Sequence, residues 1–301
     1  MSELMPLARA GDAAPLVTVQ APRGGRTAVG LLRATGTAGM ASAVVIAIAT
    51  TVAVIGSLIA PFSPTLVHPA LPFVGPTGAH VLGFDVEGRD VLSRLLAGAT
   101  SSMLGPLAVV LGSLLAGTMF AVIAAWRRGL IDAVISSGLD ILFAFPGILL
   151  AVLAAAVFGA GLPAAAISLA IAYMPYVARV LRGAALKERG QPYVAALEVQ
   201  GASATSICFR HLIPNMMPLI VAQATILFGY AMVDLAAISF LGLGVQPPRP
   251  DWGVMISENQ TGIVQGYPLP ALSAGVCIVA VVIAVNVLGE RLFEQAEAGR
   301  R

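Results

Sequence analysis

Six apolar runs, each about twenty residues or longer and almost free of charge, constrain this chain more than any other feature of its sequence. They fall at about 38–60, 102–125, 138–158, 162–181, 216–241 and 269–289. A helix rising 1.5 Å per residue needs about 20 such residues to cross a hydrocarbon layer of about 30 Å. Inside that layer an unpaired backbone N–H or C=O finds no water, so runs of this length must satisfy themselves as helices. The composition agrees: 58% of the 301 residues are hydrophobic and 11% charged, where soluble domains carry about 25% charged residues. An ordinary water-soluble globule is excluded, and the runs predict an all-α membrane protein with six transmembrane helices.

The segments between the runs are polar and rich in helix breakers. Residues 1–36 carry Gly, Pro, Ala and Arg with no sustained apolar face. They read as a flexible tail and not as a secretory signal, because no short apolar core with a cleavage site starts near Met1. Pro61 and Pro64 stop the first run, and a Pro-rich excursion containing GFDVEGRDVLSRLLAGA follows. Its end, from Arg89, is predicted as an amphipathic helix along the interface, with Val91, Leu92, Leu95 and Leu96 on one face. The stretch 138–182 is too long for one crossing, and the GAGLP turn at 159–163 divides it. Pro146 and Pro175 inside these runs predict kinks.

Basic residues set the orientation, since they accumulate on the cytoplasmic side. With both ends inside, fourteen of the 17 Lys and Arg residues lie in inner segments, and only Arg89, Arg94 and Arg249 lie outside. Five or seven crossings would spoil that alternation. The polar stretch 182–215 is therefore expected in the cytoplasm.

Several chemistries are absent from the sequence. Lys187 is the only lysine, and its surroundings, GAALKERG, lack the Gly-x-x-x-x-Gly-Lys-Ser/Thr pattern that surrounds phosphates with N–H groups. Cys208 and Cys277 have no metal or disulfide spacing. His68 and His80 stand twelve residues apart with no cysteine nearby, and no Ser-His-Asp set appears. The glycines at 242–244 lie in an outer loop, where a dinucleotide loop has no use.

The segment YVAALEVQGASATSICFRHLIPNMMP, 193–218, interrupts the apolar pattern between the fourth and fifth runs. Tyr193–Gln200 has helical spacing, Gly201 breaks it, Ser203–Phe209 resumes it, and Pro214 opens the next run. A short helix of small apolar residues is poorly suited to water. Two physical readings remain: it rests on lipid headgroups, or it fits a cleft on a soluble partner.

This segment resembles the cytoplasmic signature of ABC-type importer permeases, in particular the branch serving dipeptides, oligopeptides and nickel. That signature reads Glu-Ala-Ala, three residues, Gly and, further on, an aliphatic residue and Pro; here it stands as Ala195-Ala196-Leu197, Gly201 and Ile213-Pro214. The runs GFDVEGRDVLSRLLAGA at 83–99, LDILFAFPGILLA at 139–151 and SFLGLGVQPPRPDWGVMI at 239–256 resemble the same branch. Together the matches cover about residues 80–290, about 70% of the chain.

The resemblance implies a five-helix permease core of spans 2–6 with the N-terminal span packed outside it. The implied layout is a cytoplasmic tail at 1–36, the first span and an extracytoplasmic segment at 37–101, a core at 102–290 and a cytoplasmic tail at 291–301. A coupling helix at 193–207 would sit in the cleft of an ATPase subunit, with Tyr193, Ala195, Ala196, Glu198, Gly201, Ala202, Ser203, Arg210, His211 and Pro214 serving ATPase coupling. Partners implied are a second, related permease, two ATPase subunits, an extracytoplasmic solute-binding protein and membrane lipid, with no nucleic acid. ATP and Mg would be bound by the ATPase subunits, and no cofactor or metal by this chain. The implied function is uptake of short peptides across the plasma (inner) membrane by alternating access, the chain itself being no enzyme. Nickel, glutathione or another small solute is the alternative cargo. One departure stands out: Ala195 occupies the signature's Glu position, and Glu198, one helical turn on, is placed to supply the carboxylate.

Intramembrane charge is the remaining candidate for chemistry, because a carboxylate at the bilayer centre costs at least about 2.5 kcal/mol and faces a cavity or a partner. Asp234 lies deep in the fifth run and, with Ser239, is assigned to a translocation path; the competing reading for Asp234 is a helix–helix hydrogen bond within the permease pair. Asp140 is expected to cap a helix or to pair with Arg179 or Arg182. A self-sufficient secondary transporter or channel using Asp234 and Asp140 is the competing function. Outside, Asp85, Arg89 and Trp252 are assigned to binding-protein contact, within a mixed-sign run that either pairs internally or meets that partner. Trp126 and Trp252 are expected at membrane interfaces.

Overall fold

The structure, a computed structural model, describes residues 36–298. Apart from Gly36, the tail expected at 1–36 lies outside them, as do residues 299–301. The helices, in chain order, are α1 (Gly36–Ile59), α2 (Val91–Arg127), α3 (Gly129–Phe143), α4 (Gly147–Phe158), α5 (Leu162–Arg189), α6 (Pro192–Val199), α7 (Ala204–Phe240), α8 (Trp252–Glu258), α9 (Gln260–Val264) and α10 (Leu269–Ala298). Extended pairing among the described residues is limited to one bridge between Phe84 and Asp90. The helices α1, α2, α5, α7 and α10 are each long and apolar enough to cross a membrane, and α3 with α4 forms a pair bent by 82° that supplies the sixth crossing.

Three helix boundaries differ from those expected. The amphipathic helix predicted along the interface is the first part of α2, which runs unbroken for 37 residues, about 55 Å at 1.5 Å per residue. Asp90 starts it, its Oδ2 accepting from Ser93 N at 2.7 Å, and no proline or polar break follows before residue 102. Val91 and Leu95 are buried in a cluster with residues of α1, α7, α8 and α10 and do not form an exposed apolar face. The third crossing, predicted as one helix at 138–158, is instead α3 and α4, which part at Ala144-Phe145-Pro146. Proline disfavours helical backbone in the residue before it and offers no N–H of its own, so the chain turns there and Pro146 leads into α4.

The helix of the fifth crossing begins at Ala204, well ahead of the apolar run that starts near residue 216. After one α turn, Ala204–Ile207, it passes through a π turn, Cys208–Leu212, where Ile213 N donates to Cys208 O. The wider turn absorbs Pro214, which has no N–H for a normal helical bond. The segment between the two long helices thereby shrinks to residues 190–203.

Two apolar clusters hold the helices. One joins α2, α5 and α7 through Val109, Leu169, Val177, Leu181, Leu227 and Ile238. The other gathers α1, the first half of α2, α7, α8 and α10 around Ala53, Val91, Met232, Trp252, Met255 and Val281. Small residues set the closest crossings, as they do where lipid offers no hydrophobic drive for helix association. A Cβ on Gly117 would come within 2.6 Å of Val177 Cγ1, and one on Gly289 within 2.1 Å of Thr225 Oγ1. No residue of α3 is buried.

Candidate functional site

The short helix α6 lies between the long α5 and α7. Pro192 opens it at a position where a missing N–H costs nothing. Val194 is its one buried residue, while Ala195, Ala196, Glu198 and Val199 are exposed, Val199 at 89%. Gly201 ends it with φ +80°. Gly201 N donates to Glu198 O and Ala202 N to Leu197 O, both at 3.0 Å, which is the paired closure of a Schellman cap. A side chain at that φ costs about 1–2 kcal/mol, so glycine is required by conformation, although a Cβ there would meet no atom within 4 Å. Ser203 then starts α7, its Oγ accepting from Ser206 N at 3.3 Å.

Polar bonds tie this segment to the ends of the membrane helices. Tyr193 OH donates to Glu188 Oε1 at 2.8 Å, and Asn215 Nδ2 donates to the same oxygen at 2.8 Å. Burial, and then the bond to Glu188, push the Tyr193 phenol above its ordinary pKa. The His211 ring lies 6.3 Å from that of Tyr193, and Arg210 and Pro214 are exposed. Arg189 stacks on Trp126 at 4.6 Å and donates to the carbonyls of Ala125 and Trp126, closing the end of α2. The structure thus brings Tyr193 and His211 together with Glu188, Asn215 and Arg189. Those last three are absent from the residues singled out in the sequence, where nothing but their polarity beside an apolar run marks them.

Ion pairs hold α3 to α5 on the same side. Arg179 Nη2 donates to Asp140 Oδ1 at 2.6 Å and its guanidinium lies 4.7 Å from the Phe143 ring centre. Arg182 grips both oxygens of Asp132. Asp140, Arg179 and Arg182 border a cavity of about 280 Å³ between α2, α3 and α5. Asp140 therefore has the pairing expected of it. Deeper in the bundle, Asp234 Oδ2 accepts from Tyr173 OH at 2.6 Å and the residue stays partly exposed. Ser239, also assigned to the path, is 3% exposed, and its Oγ accepts from Val245 N at 3.3 Å.

On the opposite side the mixed-sign run pairs internally. Asp85 Oδ2 accepts from Arg89 Nε at 2.8 Å, and Glu258 Oε2 bridges Arg89 Nη2 and Arg94 Nη2, each at 2.7 Å. Trp252 Nε1 donates to Leu95 O at 3.0 Å, which locks α8 onto α2. Asp251 caps α8 through the N–H groups of Gly253 and Val254 and accepts from Ser102 Oγ; burial raises its carboxyl above the ordinary range. Asp85, Arg89 and Trp252, expected at a binding-protein contact, are 0, 1 and 4% exposed. A partner docking here meets the loops they hold and not these side chains. Trp252 is correspondingly a packed core residue and not an interface anchor.

Residues 117–298 match the profile of the family described as binding-protein-dependent transport system inner membrane component. The dipeptide transport system permease protein DppC of Alkalihalophilus pseudofirmus is 37% identical over 242 residues, covering 78% of this chain and 79% of that protein. The glutathione transport system permease protein GsiD of Pectobacterium atrosepticum is 37% identical over 218 residues, 72% of each. Among solved structures, a chain of the MetNI methionine ABC transporter in an inward-facing conformation superposes with a TM-score of 0.56 at 20% identity, over 67% of this chain and 95% of that one.

Proposed function

This chain belongs to the family of binding-protein-dependent transport system inner membrane components and is a permease subunit of an ABC importer; from that premise we propose that it carries short peptides inward, driven by ATPase subunits that dock on α6. The observation carrying the docking reading is the exposure of Ala195, Ala196, Glu198 and Val199 on a capped helix whose only buried residue is Val194. A face of that kind between two crossings has the shape of a knob for a protein cleft. Ala202, Ser203, Arg210, His211 and Pro214 complete the docking segment. Glu198 supplies the negative charge that Ala195 lacks, three residues away on the same helix.

ATP and Mg bind the ATPase subunits, since this chain has no phosphate-cradling loop of its own. A second, related permease, two ATPases and an extracytoplasmic binding protein complete the assembly, and both termini lie in the cytoplasm. Asp234, partly exposed beside Tyr173, belongs to the path, where its carboxylate attracts a peptide ammonium. The names of the relatives, dipeptide and glutathione permeases, support a peptide-sized cargo. Reconstitution tests the reading. Proteoliposomes holding the full complex should take up labelled dialanine or glutathione only with ATP and binding protein present. Uptake by this chain without ATPase subunits would overturn it.

A further inference from the structure

Glu188, Tyr193 and Asn215 close a triangle of hydrogen bonds where α5, α6 and α7 meet. Tyr193 OH and Asn215 Nδ2 both donate to Glu188 Oε1 at 2.8 Å, and Asn215 Nδ2 lies 3.2 Å from the Tyr193 oxygen, completing the third side. Each corner belongs to a different element: the last turn of α5, the second residue of α6 and the first turns of α7. We propose that this triangle is a positioning device that fixes the angle of α6 against both membrane helices, so that a displacement imposed on α6 moves α5 and α7 as one body.

The covalent connections cannot do this alone. On one side α6 joins α5 through Gly190-Gln191, and on the other it joins α7 across Gly201, at φ +80°. Burial of Val194 supplies one apolar anchor, and apolar burial is non-directional, so a helix held by that anchor alone is free to swivel about it. Hydrogen bonds are directional, and two that meet on one carboxylate oxygen, with a third between their donors, remove that freedom. The triangle also reaches a third crossing. Arg189, next to Glu188, stacks on Trp126 and donates to the carbonyls of Ala125 and Trp126 at the end of α2. A push on α6 is thus delivered to α2, α5 and α7 together.

This inference rests on α6 being the ATPase docking site, and the test separates the two. Uptake and ATP hydrolysis are measured side by side on the assembled complex in proteoliposomes, using dialanine or glutathione, whichever the unaltered complex takes up. Tyr193→Phe keeps the ring and removes the donor; Asn215→Ala removes the third corner at an exposed position; Glu188→Gln keeps an acceptor oxygen. The first two variants should lower uptake per ATP hydrolysed by about fivefold or more while the ATPase subunits still co-purify, and Glu188→Gln should stay near the unaltered ratio. An unchanged ratio in Tyr193→Phe and Asn215→Ala, or a proportional fall in both activities, overturns the positioning role. A photoreactive group at Val199 tells the failures apart. If it still labels an ATPase subunit, only the triangle is wrong; if it labels none, the docking site itself is wrong.

Discussion

Arg89 and Arg94 are 1 and 0% exposed, and a buried guanidinium is tolerable only when carboxylates surround it. Asp85 and Glu258 do so, with Glu258 Oε2 shared between the two arginines. Removing one partner leaves uncompensated charge, at a cost of about 3–5 kcal/mol. Glu258→Ala should therefore lower the thermal unfolding midpoint of the detergent-solubilised protein markedly. Glu87→Ala, which removes a half-exposed partner of Arg89, should cost no more than about 1 kcal/mol. Equal shifts for the two variants would show that the cluster does not hold the outer loops. The charges at 85–94 were legible in the sequence, but their burial was not. The residue that completes them, Glu258, lies 164 positions beyond Arg94, and alternating signs along a loop read the same whether the loop is solvated or folded inward.

At the scale of elements, the count of crossings and the place of α6 were both readable, while helix ends were not. Hydropathy marks where lipid begins, but a helix ends where its backbone bonds fail. These boundaries separate at α2, which continues past the lipid-facing run to Asp90, and at α7, which starts about three turns before its apolar stretch. Pro146 was legible as a disturbance, yet its consequence, a bend of 82° between α3 and α4, depends on what the two halves pack against. Gly201 shows the opposite case, since a glycine after a helical pattern predicts a C-terminal cap and the structure supplies one. Gly201→Val forces a branched side chain into left-handed backbone, costing about 1–2 kcal/mol locally. The site is open to solvent, so membrane insertion and yield should stay normal while ATP-driven uptake falls. Uptake equal to that of the unaltered protein would remove Gly201 from the coupling segment.

At the scale of the whole molecule, one side of the bundle is unfinished. No residue of α3 is buried, and Leu130, Val134, Ile141, Val157 and Phe158 of the bent pair are each more than half exposed. In the proposed assembly, that surface faces lipid or the second permease. The apolar spans carry the fold, and the polar junction of Glu188, Arg189, Tyr193 and Asn215 gathers three of them beneath the exposed face of α6. In the proposed importer, this face receives the ATPase. A photoreactive residue in place of Val199, 89% exposed on α6, tests it most directly in membranes containing the complete complex. The expected result is a cross-linked product with an ATPase subunit that changes in yield when ATP binds. Labelling of lipid alone, with the ATPase present and active, would contradict it.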